Sequence, residues 1–234
     1  MGVVQGRVLS LQVGTSRFLR VGERTLRSAI RKQPLEGLVA VGPLGLAGDE
    51  QNDLSVHGGL SKAVYALPQQ HLAWWSAQRQ AAGVSLFDEA IVPGQLGENL
   101  SLDGVDEQGV CIGDRLHFAG GVLLRVTEPR QPCAKFNAVM GYEHAGKDMV
   151  QSGRCGFYLA VEVPGRLRAG EAFELLPGPR EIRIAQALQR KGQNQQQCAQ
   201  QHKLDVFVEF HVDLLKHGRP HAHPSGPRGA GSTQ

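Results

Sequence analysis

Short apolar stretches dominate the sequence, which is punctuated by thirty glycines and twelve prolines. In several stretches apolar residues occupy every second position, a period that places them on one face of a β-strand. The clearest alternating sets are Leu9/Leu11/Val13, Val122/Leu124/Val126, Phe157/Leu159/Val161/Val163 and Phe173/Leu175. Short, regularly spaced strands with glycine turns are typical of a β-barrel or sandwich. We therefore expect a mostly β fold with a few helices rather than a parallel α/β sheet.

Two segments are expected to be helical. The first runs from about Pro68 to Ala82, because proline suits the first helical position and Leu72 and Trp75 can share one face. A second, shorter helix is expected from Tyr142 to Gln151.

The composition changes after residue 178. We expect a barrel domain over residues 1–178, a short extension over 179–217 that can be helical, and a disordered tail over 218–234. Within the extension, Leu204–Leu215 fits both a strand alternation and a helical stripe, and helix is the preferred interpretation.

The whole chain gives few signs of a membrane or nucleic-acid protein. No apolar run is long enough to cross a bilayer, and Met1–Arg7 lacks the basic and apolar regions of a signal peptide. These features predict a cytoplasmic protein. Its formal net charge is only +3, and the basic residues are scattered, which argues against nucleic acid as a partner. The four cysteines show neither zinc-site spacing nor a reason to form disulfides.

Cys133 is the most conspicuous candidate for chemistry. It follows Pro132, which stiffens the backbone, and lies between Arg130 and Lys135, two cations that favour the reactive thiolate. The preceding apolar run, Val122–Val126, predicts that the thiol lies just past a strand end, where reactive residues are often held. The alternative is a small buried hydrophobe, the usual role of a free cysteine.

Two glycine-containing segments are weaker candidates. The segments Gly45–Gln51 and Val56–Gly59 place four glycines around an acid and a histidine, and Lys62 follows them. Backbone amides at such glycines can cradle an anion, although two ordinary turns would look the same. Gly97–Leu100 places a carboxylate and an amide before a strand, where the amide could pair with a heterocycle or form a turn.

Common catalytic signatures do not occur. The sequence contains no Gly-x-Ser-x-Gly, His-Glu-x-x-His or Gly-x-Gly-x-x-Gly motif. The residues alone therefore predict a β-rich domain with one reactive thiol, and they name no reaction.

The order of these segments resembles the MOSC domain family, named for the C-terminal domain of molybdenum-cofactor sulfurases. The resemblance extends from about Gly6 to Leu176 and is greatest to stand-alone bacterial proteins linked to 6-hydroxylaminopurine resistance. It rests on five motifs in sequence: Gly45–Gln51, Val56–Gly59 with Lys62–Val64, Gly97–Leu100, Ile112–Asp114 and Pro129–Cys133. It implies a MOSC-type β-barrel that binds the molybdenum cofactor, a pterin dithiolene with a terminal phosphate.

The resemblance also assigns roles. Cys133 matches the family cysteine that ligates molybdenum or carries transferred sulfur, with Arg130 and Lys135 as its supports. The implied cofactor-binding residues elsewhere are Asp49, His57, Gly58, Gly59, Lys62, Glu98 and Asn99. Among these, the His-Gly-Gly turn and its lysine would hold the phosphate, and the carboxylate–amide pair would contact the pterin. The aspartate would order the glycine-rich loop or lie near the metal.

By resemblance, the expected activity is reduction of small N-hydroxylated bases and related N-oxygenated compounds, including detoxification of 6-hydroxylaminopurine, with electrons from an electron-transfer protein. No pyridoxal-phosphate domain is expected. A non-catalytic carrier of molybdenum cofactor or sulfur is the main alternative. A cofactor-free barrel with a buried cysteine is a third.

Overall fold

The computed structural model describes residues 4–52, 58–85 and 89–193. Its strands are β1 (Val4–Val13), β2 (Arg17–Val21), β3 (Arg24–Ser28), β4 (Gln33–Leu35), β5 (Val39–Gly42), β6 (Gly45–Leu46), β7 (Val64–Pro68), β8 (Leu100–Asp103), β9 (Arg115–Phe118), β10 (Leu123–Pro129), β11 (Phe157–Val163), β12 (Gly165–Leu167) and β13 (Ala172–Leu176). Its helices are α1 (Gln70–Ala81), α2 (Ala134–Met140), α3 (Ala145–Ser152) and α4, described over residues 184–193. A 3-10 turn covers Leu60–Lys62.

Seven strands close into a barrel in the order β13-β9-β10-β11-β7-β8-β1, and β1 pairs back with β13. Neighbouring strands are antiparallel except for the parallel pair β7 and β8. Closure depends on β1, whose pairing with β8 shifts register between Val8 and Ser10. A bulge of this kind bends a strand, and β1 accordingly pairs with β13 along its first half and with β4 at its end. The predicted mostly β, barrel-like fold is confirmed.

The predicted alternation describes most of the barrel core. Leu124, Val126, Phe157 and Leu159 are fully buried, as a period of two requires. The prediction was wrong for Leu9, which is 37% exposed, and for Val163 at the end of β11, which is 43% exposed. The register shift beside Leu9 reverses the side-chain alternation, so Val8 and Leu11 are buried instead.

The helices differ from their predicted bounds. Pro68 is the last residue of β7, where it pairs with Leu102, so α1 begins two residues later than expected. Leu72 and Trp75 share its buried face as predicted. The second expected helix corresponds to α3. Helix α2 was not predicted.

Two small sheets lie outside the barrel: the β2–β3 hairpin and the three strands β12-β5-β6. After β13 the chain forms α4, whose Ile184 and Leu188 are buried and whose Ile184 N–H donates to the Val110 carbonyl. The boundary expected at residue 178 stays a prediction. Several predicted features lie outside the described residues: His57, residues 194–217 of the extension with the ambiguous segment 204–215, and the tail over 218–234. No helix among the described residues is long and apolar enough to span a bilayer.

Candidate functional site

A cleft beside the barrel brings together most of the residues selected from the sequence. It encloses about 640 Å³ of space, part of it open to solvent. Its lining includes seven of those residues: Asp49, Gly58, Lys62, Asn99, Arg130, Cys133 and Lys135. Arg130, Cys133 and Lys135 belong to one short segment, and the fold brings the other four residues to it from other parts of the chain.

Cys133 lies four residues beyond the end of β10, at the residue before α2. Its backbone is extended, and its carbonyl accepts a hydrogen bond from the Phe136 N–H at 2.9 Å. Phe136 is fully buried and packs edge-on against Trp75 with ring centroids 5.1 Å apart, which fastens α2 to α1. The thiol is partly exposed and forms no disulfide. The predicted position past a strand end is confirmed.

Arg130 is a buried cation in the wall of the cleft. Its side chain stacks over Phe136 at 4.5 Å and over Tyr65 at 5.5 Å, and Nη1 lies 3.4 Å from the Met149 sulfur. Among the described residues, no carboxylate lies within ion-pair distance of it. Burial works to lower the pKa of Arg130, but Tyr65 and Cys133 help to raise it by more, so it stays protonated. A buried charge without an opposite charge is costly, and an anion in the cleft would offset that cost.

Asp49 holds two walls of the cleft together. Its Oδ1 accepts hydrogen bonds from the Gly14 N–H at 2.8 Å and from Lys32, and its Oδ2 accepts one from Asn99 Nδ2 at 2.9 Å. The Lys32–Asp49 ion pair is buried, and burial lowers the pKa of Lys32 although Asp49 opposes the shift. Of the two roles suggested for Asp49, these contacts support the ordering of loops.

Asn99 and Glu98 are both buried. The Asn99 amide donates to Asp49 and to the Gln12 carbonyl, and its Oδ1 accepts the Tyr65 N–H at 3.1 Å. A contact with a heterocycle would therefore use the remaining lone pair of Oδ1. Glu98 does not line the cleft. Burial raises the pKa of Glu98 to about 7, and its Oε2 finds no hydrogen-bond partner among the described residues.

The turn that precedes Lys62 lies at the cleft rim. Gly58 and Gly59 have φ of +119° and +78°, a region that side-chain-bearing residues rarely adopt. The Gly59 N–H donates to Gln51 Oε1 at 3.0 Å. Lys62 lies 3.7 Å from Glu128 and 5.8 Å from the centre of the Tyr158 ring. Gly58 and Lys62 line the cleft, Gly59 does not, and His57 is not described.

Three further residues that line the cleft were not predicted from the sequence: the cationic Lys32 and the aromatic Tyr65 and Tyr158. The tyrosine rings contact each other at a tilt of 45° with centroids 5.4 Å apart, and the Tyr65 hydroxyl donates to the Cys155 carbonyl at 2.8 Å. Burial raises the pKa of Tyr158 to about 12 and that of Tyr65 well above its ordinary value, so both hydroxyls stay protonated. Each tyrosine lies in an apolar stretch that is typical of a core strand, and its hydroxyl was the only available signal.

The other described cysteines are not in the cleft. Cys111 and Cys155 are buried. Burial and, secondarily, the Glu107 carboxylate raise the pKa of the Cys155 thiol well above its usual range. Cys198 lies outside the described residues.

Comparison with known proteins identifies the family. The model of the MOSC domain matches residues 53–174, more than half of the chain. The chain belongs to the MOSC domain family. The uncharacterized protein YflK of Bacillus subtilis (strain 168) is 33% identical over 169 residues, covering 72% of each chain. The protein YiiM of Escherichia coli (strain K12) is 32% identical over 160 residues, covering 68% of this chain and 69% of that protein.

Other relatives extend the comparison to a solved structure and a longer protein. The crystal structure of YiiM from Geobacillus stearothermophilus superimposes on this MOSC domain with a TM-score of 0.61 at 28% identity, covering 78% of this chain and 82% of that one. A protein named "Reductase" from Gibberella moniliformis (strain M3125 / FGSC 7600) is 35% identical over 154 residues, which are 66% of this chain and 26% of that protein. The resemblance inferred from the sequence motifs is confirmed.

Proposed function

We propose that this MOSC domain binds the molybdenum cofactor in the cleft and reduces N-hydroxylated bases or related N-oxygenated compounds. The observation that carries the proposal is the cleft-lining pair of Cys133 and Arg130, a partly exposed thiol and a buried cation with no carboxylate partner in the described ranges. The family and the relative named as a reductase support an oxidoreductase.

The residues of the cleft fit this cofactor. Within the described ranges, no group of three or more His, Cys, Asp or Glu side chains could hold a bare metal ion. A dithiolene-bound molybdenum brings ligands of its own, and Cys133 would add one thiolate. Thiolate is a suitable soft donor for such a metal.

The cations of the cleft fit the anionic parts of the cofactor. Arg130 is buried and Lys135 is partly buried, and neither forms an ion pair with a described residue. Lys62 lies at the rim beside the positive-φ glycines. Arginine and lysine bind anions through charge-assisted hydrogen bonds. Lys62 and the adjoining glycine turn would hold the terminal phosphate, and Arg130 and Lys135 would support the Cys133 thiolate.

When bound, the cofactor supplies the two-electron redox chemistry. The net reaction takes two electrons and two protons, breaks the N–O bond of the substrate and releases the amine and water. The chain would position the reactants. Asp49 would fix the loops, and the rings of Tyr65 and Tyr158, whose hydroxyls stay protonated, would form a wall that limits the access of water to the cleft. We infer that the protein works in the cytoplasm, where Cys133 stays reduced, with an electron-transfer protein as donor.

Metal analysis tests the proposal. Protein from a host that makes molybdenum cofactor should contain nearly one molybdenum per chain, and Cys133→Ala should lose it while Cys111→Ala keeps it. A wild type without molybdenum, in a host where another molybdoenzyme is loaded, would refute cofactor binding. Loaded protein that fails to reduce hydroxylamines with dithionite-reduced viologen would instead indicate the carrier function.

A further inference from the structure

The β2–β3 hairpin carries a concentration of positive charge that the cofactor site does not use. The hairpin and the three residues after it, residues 17–31, contain five arginines, Arg17, Arg20, Arg24, Arg27 and Arg31, and a single acid, Glu23. All five arginines are exposed, and none forms an ion pair with another described residue. The hairpin is therefore a local basic surface on a chain whose net charge is only +3.

The strand register sorts the hairpin side chains into two faces. Phe18 pairs with Arg27 and Arg20 pairs with Thr25, so these four residues share one face. Phe18 is 78% exposed, the most of any large hydrophobic residue described. An exposed aromatic ring beside arginines is the composition of a protein-binding surface.

Local contacts hold this face in place. The Arg27 guanidinium lies 5.7 Å from the centre of the Phe18 ring, and its Nε donates to Ser16 Oγ at 3.1 Å. Arg20 Nε donates to the Gly22 carbonyl at 3.2 Å. Side chains restrained in this way lose less entropy when a partner binds.

The hairpin also lies next to the cleft. β2 approaches α2, the helix that follows Cys133, and Ser28 at the end of β3 lines the cleft itself. A protein seated on the hairpin would therefore have its own surface near the thiol.

We propose that Phe18, Arg20 and Arg27 form the docking surface for an acidic electron-transfer protein that reduces the cleft cofactor. This inference rests on the proposed function. The donor is oxidised by two electrons in total; with two protons from solvent, these electrons break the N–O bond of the substrate and give the amine and water. Complementary charge makes such encounters fast and sensitive to salt.

An acidic protein fits this surface better than the other polyanions. Duplex DNA requires a broad basic field, and a chain whose net charge is only +3 does not favour one. An anionic membrane favours several inserted apolar side chains, whereas this face exposes only Phe18 among its four described residues.

The test uses loaded full-length protein and two matched double variants. Arg20→Glu with Arg27→Glu reverses two charges on the hairpin, and Arg166→Glu with Arg168→Glu makes the same change at exposed positions in and after β12, outside the cleft lining. The probes are reduced flavodoxin, an acidic flavoprotein, and dithionite-reduced methyl viologen, a small donor. Phe18→Ala, which preserves charge, provides an independent variant.

At low salt, the hairpin double variant should raise the half-saturating flavodoxin concentration at least about tenfold, and the control should stay within about twofold. The difference should shrink near ~0.5 M salt, because the Debye length is then only about 4 Å, against about 30 Å at ~0.01 M. Viologen-driven turnover should be unchanged. Phe18→Ala should weaken flavodoxin binding by about threefold to tenfold.

Equal loss in both double variants, or loss of viologen-driven turnover in the hairpin variant, would overturn the docking surface. Tighter binding of wild type to anionic vesicles or duplex DNA than to flavodoxin would also overturn it. If wild type fails to turn over with viologen, the proposed reaction fails, and a direct titration with oxidised flavodoxin still decides the docking surface on its own.

Discussion

Two regions of the molecule each combine an arginine with a cysteine, and they use the pair differently. In the loop after β10, Arg130 and Cys133 both line the cleft. In the turn before β11, Arg154 stacks over Trp74 at 4.9 Å, and Cys155 is fully buried with its Sγ 3.0 Å from the Gly156 carbonyl. A cation next to a thiol in sequence therefore says little about reactivity until the fold shows which thiol is accessible.

The buried carboxylates near the two regions extend the comparison. Glu107 is bonded through both oxygens, to His71 Nε2 at 2.7 Å and to the Gly156 N–H at 2.6 Å. Glu98 accepts the Gly94 N–H at 2.6 Å, but its other oxygen has no partner among the described residues. Near Cys155, both oxygens of Glu107 therefore have hydrogen-bond partners. Among the described residues, by contrast, Arg130 has no carboxylate partner and one oxygen of Glu98 has no hydrogen-bond donor. Such unmet polar groups are typical of functional sites.

The largest difference between the two regions should appear in thiol reactivity. In cofactor-free protein, iodoacetamide should modify Cys133 at least about a thousandfold faster than Cys155, because Cys155 must first be exposed by local unfolding. Peptide mass spectrometry of a labelling time course measures both rates. Comparable rates would remove the distinction on which the comparison rests.

The turn around Cys155 should tolerate substitution poorly at one glycine. A Cβ at Gly156 would lie 2.3 Å from the Ala66 carbonyl oxygen, and its φ is +67°. Gly156→Ala should therefore cost about 3–4 kcal/mol of unfolding free energy. Gly153, with φ of +74° and no atom within 4 Å of a Cβ, is the matched control, and its alanine variant should cost about 1–2 kcal/mol. Urea denaturation compares them, and equal costs would argue against close packing of the turn onto β7.

The partner-poor Glu98 should make stability depend on pH. Its pKa is raised to about 7 in the folded state, so the folded state binds a proton that the unfolded state releases near pH 4.5. The contribution of Glu98 to stability is therefore fully present below pH 4.5 and decreases as the pH rises to about 7. Glu98→Gln should abolish this decrease, and at pH ~8 its free energy of unfolding should exceed that of wild type by at most about 3 kcal/mol. Parallel pH profiles of chemical denaturation would contradict the assignment.

The smallest effect is expected when Arg130 and Arg154 are each replaced by leucine. Arg130→Leu should lower molybdenum content roughly tenfold without lowering the thermal midpoint, because it removes a buried cation that lacks a carboxylate partner. Arg154→Leu should leave the molybdenum content unchanged. Metal analysis and calorimetry of the two variants provide the comparison. Loss of metal in both would indicate a general charge effect.

Local pattern predicted the barrel and located its thiol, but it did not show how the loops are joined. In β10, Leu124 and Val126 follow simple alternation, and both are fully buried. Helix α2 was missed because it has only seven residues and lacks a side-chain cap, although Phe136, Met140 and the left-handed Gly141 are consistent with a short helix.

The contacts that shape the cleft depend on residues far apart in the chain. Lys32 forms its ion pair with Asp49, and Asn99 its hydrogen bond with Gln12, only after the strands have paired. A local sequence pattern does not predict such contacts. The Ile112–Asp114 motif, which helped to suggest the family, lies outside the cleft, where Asp114 accepts the Gly178 N–H at 2.8 Å. A motif in the correct order can therefore mark the fold rather than the site.

The closure of β1 against β13 also dictates when the cleft can exist. Val4 pairs with Leu175, while Gln12 and Gly14, at and just after the other end of β1, hold Asn99 and Asp49. During synthesis the ribosome must deliver β13 before the barrel can close, and pairing over such a long sequence separation is slow. A cofactor that binds in the cleft, as proposed above, would therefore enter only after translation, and until then Cys133 would be exposed to oxidants in the folded chain.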